Sequence, residues 1–220
     1  MTKIATIIFL LGFSLLGFSQ VNDAGLWADI SVEKKFNQSF SIEFSNSERF
    51  NENITELKSC INELSLKYRL NQNSKFALTY RLSMKRQLNN MYVPYSRFSL
   101  DYTQGFEISG VDIDLRLRFQ TRQENAYLFD YDSDSRNTLR PRIKFKYKIQ
   151  KFEPYLFVES FHPVWYEEYQ PLSKLRFSAG VEYGFNNNHS VDAAYMVQRE
   201  FFENNPITDF VFKFGYKFSF

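Results

Sequence analysis

The chain ends "DFVFKFGYKFSF" (209–220), and the facing of this stretch decides the fold. Successive side chains of an extended strand point to opposite sides. Phe210, Phe212, Phe214, Tyr216, Phe218 and Phe220 therefore share one face, and Val211, Lys213, Gly215, Lys217 and Ser219 share the other. Six aromatics in a row do not face water. They face either a protein core or lipid, and the rest of the chain discriminates between the two.

With 220 residues the chain has the size of one domain, and its 25 Phe and 14 Tyr exceed what a soluble core needs. Its mean hydropathy is nevertheless −0.41. Many aromatics in a polar chain imply apolar residues interleaved with charged ones, which is strand periodicity. The net charge of +2 is too near balance to indicate nucleic acid, so no nucleic-acid partner is expected.

The first residues, "MTKIATIIFLLGFSLLGFSQ", combine Lys3, an apolar run from Ile4 to Leu16, and small residues at Gly17 and Ser19. They read as a secretory signal peptide over 1–19, cleaved after Ser19, with a retained anchor helix as the alternative. The expected organisation is a leader followed by a barrel over 20–220. Cys60 is the only cysteine, so no internal disulfide forms, and it reads as a small apolar residue.

Beyond the leader no segment has helical periodicity. Alternating stretches come in hairpins instead: 26–36 with 39–50, 59–70 with 75–87, 96–104 with 111–122, 139–149 with 154–161, 174–185 with 190–198, then the terminal strand. Most run about nine to twelve residues, enough for a tilted strand to cross a bilayer. A soluble lipocalin-like barrel would alternate in the same way, and side-chain size decides between them. In "VDIDLRLRFQTR" (111–122) Val111, Ile113, Leu115, Leu117 and Phe119 oppose Asp112, Asp114, Arg116, Arg118, Gln120 and Arg122. A small closed interior mixes small and large residues to fill its taper, whereas here nearly every strand repeats a face of large ones. Those faces belong outward on lipid, with the charged faces lining the lumen. The expected fold is all-β: a transmembrane antiparallel up-and-down outer-membrane β-barrel of about ten to twelve strands. Eleven are countable, although an even number is expected of such barrels.

Short connections (37–38, 71–74, 105–110, 150–153, 186–189) alternate with longer ones (51–58, 88–95, 123–138, 162–173, 199–209), as periplasmic turns alternate with extracellular loops. Tyr68, Tyr102, Tyr147 and Tyr183 each precede a short turn on the apolar face, and Tyr216 holds the matching place in the last strand. Tyrosine favours an interface where its ring is buried and its hydroxyl wet, so these read as one girdle. Outer-membrane lipid and lipopolysaccharide are the expected surroundings. The ending through Tyr216, Phe218 and Phe220 resembles the C-terminal signal read by the barrel-assembly machinery, which that resemblance makes a partner.

"GLWADISVEKKF", "SERF", "LTYRLSMKR", "LRLRFQTR", "LRPRIKFKYKI", "PYLFVESF" and "LRFSAGVEYGF" together resemble the outer-membrane proteins grouped as domain of unknown function 2490. The likeness spans nearly the whole chain after the leader. It implies a barrel and carries over no catalytic residues.

Catalysis at the rim would need a histidine beside a serine and an acid. Of the two histidines, His189 in "NNNHS" reads as a solvated turn residue. His162 shares strand parity with Ser160, while Glu159 points the other way, so no triad is evident. The chain is expected not to be an enzyme and to hold neither metal nor cofactor. The lumen is more distinctive. Inward faces of the middle strands carry Arg97, Arg116, Arg118, Arg122, Arg140, Arg142 and Lys144, together with Lys75, Arg81, Lys85, Lys146 and Lys148. Acids gather on other walls at Asp29, Glu33, Glu43, Glu63, Glu159, Glu182 and Asp192. Either cross-lumen ion pairs plug the interior, or a basic wall serves a passage for small anionic solutes. Three classes stay open: a structural or interaction barrel, a narrow anion channel, and a lipid-modifying enzyme at the extracellular rim. The loops "ENAYLFDYDSDSRN" and "HPVWYEEYQPLS" are candidates for binding a partner, a glycan or divalent ions.

Overall fold

The computed structural model describes residues 21–124, 136–165, 171–202 and 206–220. The expected leader, most of the loop 124–137 and residues 166–170 of the loop 162–173 lie outside these residues. Eleven strands follow one another: β1 (Val21–Lys35), β2 (Phe40–Asn51), β3 (Glu56–Arg69), β4 (Ser74–Arg86), β5 (Tyr92–Ile108), β6 (Val111–Glu124), β7 (Arg136–Tyr147), β8 (Phe152–Val164), β9 (Lys174–Gly184), β10 (His189–Glu200) and β11 (Ile207–Ser219). Each pairs antiparallel with the next, and the sheet closes into a barrel through β1 and β11. The expectation of an even count is overturned. With eleven strands the first and last run in the same direction, so the closing pair is parallel, in register from Val21↔Ile207 to Glu33↔Ser219. Hydrogen bonds from Phe220 N to Glu33 O (2.9 Å) and from Lys35 N to Phe220 O (2.8 Å) carry the seam to the last residue.

Three of the short turns are made by one local device. The side-chain oxygens of Asn37, Asn71 and Asn186 each accept two backbone N–H groups, two and three residues on, at 2.8–2.9 Å. Asparagine closes such turns because its short amide imitates a backbone carbonyl. The connection expected at 105–110 is tighter than its composition suggests. β5 continues to Ile108, and Ser109 (φ 51°) and Gly110 (φ 78°) alone make the reversal. Both central residues have positive φ, the twist that matches a hairpin's flanking strands.

The terminal aromatics face outward: Phe212, Phe214, Tyr216 and Phe220 are all exposed, Phe214 to 56 %. Around the barrel they are joined by Ile30, Phe44, Leu64, Leu78, Leu100 and Leu117. The same face is interrupted across β2 and β3. There Asn46 donates to Asn62 Oδ1 (3.1 Å) and approaches the sulfur of Cys60 (3.8 Å). Cys60 thus borders a small polar notch rather than behaving as a purely apolar residue.

The buried residues are mostly polar. Glu33, Ser59, Ser99, Asp101, Thr103, Gln120, Arg140, Glu159 and Gln198 are among them, beside a few apolar side chains such as Ile61, Met196 and Val211. The interior is therefore a hydrogen-bonded polar core, and the apolar side of the sheet is its outside. On the inner wall Tyr155 lies across Gly180, where a Cβ would come within 2.7 Å of the ring. Its hydroxyl donates to Asp192 at 2.7 Å.

Candidate functional site

Strands β6 and β7 place like charges directly opposite: Arg116 faces Arg142, and Arg118 faces Arg140. Adjacent guanidinium groups repel unless something neutralises them. Two carboxylates do this from different walls. Asp101 on β5 accepts both Nε and Nη2 of Arg118, each at 2.6 Å. Its other contact is with Arg116, at 3.8 Å.

The second carboxylate, Glu159 on β8, is the hub. It bonds Arg116, Arg140 (2.8 Å) and Arg176 of β9 (3.1 Å). Only 1 % of Glu159 is exposed, the lowest value among the buried apolar and polar side chains described. Glutamine amides complete the layer. Gln120 accepts from Arg140 at 2.8 Å, and Gln198 accepts twice from Arg176, at 3.1 and 2.6 Å. Phe161 lies beneath Arg140 and Arg176, 4.2 and 5.0 Å from ring centroid to guanidinium carbon.

Two cavities flank this layer. The one toward the long loops has a volume of about 690 Å³ and is walled by Trp27, Arg49, Arg97, Arg122, Arg136 and their neighbours. The one toward the short turns, of about 360 Å³, has mixed charge. Lys213 there lies 3.4 Å from Asp29 and 3.7 Å from Asp192. Deeper still, Lys67 and Lys217 share Glu33 and Glu43 at 2.6–3.3 Å. Arg49 borders both cavities.

The expected basic residues are thereby sorted by height. Arg97, Arg122 and Arg140 line the upper cavity, Arg142 and Lys144 line the lower one, and Arg116 and Arg118 are held in ion pairs between carboxylates. Lys148, expected on the inward face, lies past the end of β7, exposed in the turn and 4.0 Å from Glu153.

The model for the family described as protein of unknown function (DUF2490) matches residues 24–209. The chain belongs to this family. No curated protein matches it. Among solved structures it is similar to the β domain of the Bordetella autotransporter Brka, with a TM-score of 0.54 and 12 % identity over 82 % of each chain. It is also similar to a bacterial polysaccharide outer membrane secretin, with a TM-score of 0.49 and 10 % identity. That match covers 80 % of this chain and 63 % of the other. The first likeness supports the barrel fold alone.

In this member of the DUF2490 family Tyr68, Tyr102, Tyr147, Tyr183 and Tyr216 all sit on the outward face near the short-turn end, several against other rings, as Tyr102 on Phe76 (5.0 Å) and Tyr183 on Phe152 (4.7 Å). His189 is not a solvated turn residue. It begins β10, its Nδ1 lies 2.6 Å from the Tyr216 hydroxyl, and its ring stacks on Phe218 at 4.8 Å. The stretch Tyr216, Phe218 and Phe220 thus packs with His189 beside the β1–β11 seam.

At the other end, His162 Nε2 and Ser160 Oγ are 2.9 Å apart, and His162 Nδ1 lies 2.6 Å from the carbonyl of Pro171. The carbonyl can only accept, so Nδ1 carries the proton. Glu159 points into the lumen and is absent from this pair. Trp27 was not singled out from the sequence, although it shares parity with Asp29, Ser31 and Glu33. Arg49 lies 3.8 Å above its ring. Among the described residues no group of His, Cys, Asp and Glu is arranged to hold a metal ion.

Proposed function

We propose that this barrel sits in the outer membrane with its aromatic face on lipid and lipopolysaccharide, and that it is a structural or interaction barrel with a lumen closed by ion pairs. The observation that carries this reading is the burial of Glu159 among Arg116, Arg140 and Arg176 at mid-height. A carboxylate in an open aqueous pore keeps water around it, whereas this one is sealed by guanidinium groups and glutamine amides. Insertion by the barrel-assembly machinery through Tyr216, Phe218 and Phe220 belongs to the same proposal, as does an N-terminal export signal.

In planar bilayers the purified protein is expected to give no stepwise conductance at neutral pH. Regular single-channel steps would overturn the closed lumen. The second reading, a narrow passage for anions, is favoured by Arg49, which borders both cavities. On that reading the wild type conducts, and reversing Arg118 and Arg142 to Glu lowers its anion preference. On the closed reading the double reversal loses stability and never conducts.

The proposed role is not enzymatic. Ser160 has a base in His162, but the third position is a backbone carbonyl, which orients the imidazole without stabilising an imidazolium as a carboxylate does. A fluorophosphonate probe is therefore expected to leave Ser160 unlabelled. Stoichiometric labelling that disappears in Ser160→Ala would instead establish a rim hydrolase.

A further inference from the structure

We propose that the upper cavity is a binding vestibule for a small multivalent oxyanion carrying phosphate or carboxylate groups. This goes beyond the closed-lumen reading and is decided by a different measurement.

Among the described residues the cavity is walled by ten Arg and Lys side chains and three carboxylates, Asp23, Asp209 and Glu200. Those three are already engaged. Asp209 lies 3.7 Å from Lys58, Glu200 lies 2.9 Å from Lys174, and Asp23 accepts the backbone N–H of Asn53 at 3.1 Å. From below, Glu63 takes up Arg81, and Glu159 takes up Arg140 and Arg176. Leaving Lys85 and Arg122 aside, eight cations among the described residues face five carboxylates even when these two are included.

The manner in which the remaining arginines are held points to a ligand. Arg49 and Arg97 form no ion pair among the described residues, and the Nε of each is buried without a hydrogen-bond partner. The Nε of Arg140 is in the same state. Rings support several of the arginines of this cavity. Trp27 carries Arg49 at 3.8 Å and Arg176 at 5.4 Å, and Tyr95 carries Arg122 at 5.4 Å. A ring attracts the face of a guanidinium and leaves its in-plane N–H groups free to donate. Such donors match the forked oxygens of phosphate or carboxylate, and a ligand with several of them neutralises more of the surplus charge. A volume of about 690 Å³ suits a small molecule.

Trp27 supplies the readout. The chain has two tryptophans, and the other, Trp165, stands 83 % exposed at the end of β8. The full barrel carrying Trp165→Phe, folded in detergent at low salt, is titrated with tripolyphosphate, with citrate and, separately, with lipopolysaccharide micelles while Trp27 fluorescence is followed. Tripolyphosphate or citrate is expected to give a saturable change that weakens as salt is raised.

Arg97→Gln, and independently Arg49→Gln, is expected to weaken that binding about 10- to 100-fold. Each variant should keep the melting temperature at or above that of the parent, since it removes a buried charge that no acid compensates. The absence of a saturable response to both soluble anions, a response to lipopolysaccharide alone, or equal binding by both variants would overturn the proposal. Misfolding of both variants would overturn it as well, because these arginines would then be structural. Conductance plays no part in any of these outcomes, so the closed lumen is judged separately.

Discussion

Glu159→Gln is expected to destabilise the barrel by about 3–5 kcal/mol, the largest effect of any single lumen substitution. The change removes one negative charge and almost no volume, so the loss is electrostatic. Arg116, Arg140 and Arg176 would be left around a neutral amide, with Gln120 and Gln198 as their remaining acceptors for Arg140 and Arg176. Three guanidinium groups in a closed layer then repel one another, and the nearest remaining anion, Asp101, lies 3.8 Å from Arg116 and is already bonded to Arg118. Urea unfolding in lipid vesicles, followed by the mobility of unboiled protein on gels, measures the effect. The double variant Glu159→Gln with Arg140→Gln should recover part of the stability, since it removes one of the repelling cations. A single variant as stable as the wild type would mean that water or small ions already neutralise the layer, and the closed lumen would have to be abandoned.

Phe214→Arg should cost about 2–4 kcal/mol, whereas Lys213→Leu, its immediate neighbour, should cost about 1 kcal/mol or less. Phe214 stands one outward step from Tyr216 toward the middle of the aromatic belt. A guanidinium there must enter hydrocarbon or pull water in. Lys213 points into the lower cavity, between Asp29 and Asp192, where the wall is already wet and part-exposed. Assembly yield in vesicles is expected to drop sharply for the first change and slightly for the second. Equal tolerance of both would reverse the inside and the outside of the barrel.

The two variants fall on opposite sides of a distinction between local and closed information. Facing is local, because a strand's period of two is fixed by backbone geometry. Reading "DFVFKFGYKFSF" therefore places Phe214 outward and Lys213 inward without any knowledge of the partner strands. The same holds for the inward parity of Arg116, Arg118, Arg140 and Arg142, for the hairpin order, and for the tyrosines near the short turns. It holds for Trp27 too, whose inward parity is legible from its alternation with Asp29, Ser31 and Glu33. Turn lengths were less legible. Gly105 and Phe106 look like loop residues by composition but pair across the sheet with Asp114 and Ile113, and only the positive φ at Ser109 and Gly110 marks the reversal.

What the sequence determined by itself is thus the all-β class, the facing of each strand and the charged character of the lumen, all of which follow from alternation along one strand. Tertiary structure decided the parity of the strand count, the parallel seam and the pairing of the lumen charges. Whether the first and last strands meet depends on closing the whole sheet, and no local residue encodes that. Which acid reaches which arginine depends on the stagger accumulated around the closed barrel. Glu159 is one of many acids with inward parity in the sequence, and becomes the hub only because closure brings β6, β7 and β9 around it at one height. The same closure leaves Arg49 against Trp27 and Arg97 without an ion pair among the described residues, since the distance across the lumen, and not the count of charges, decides which of them are neutralised.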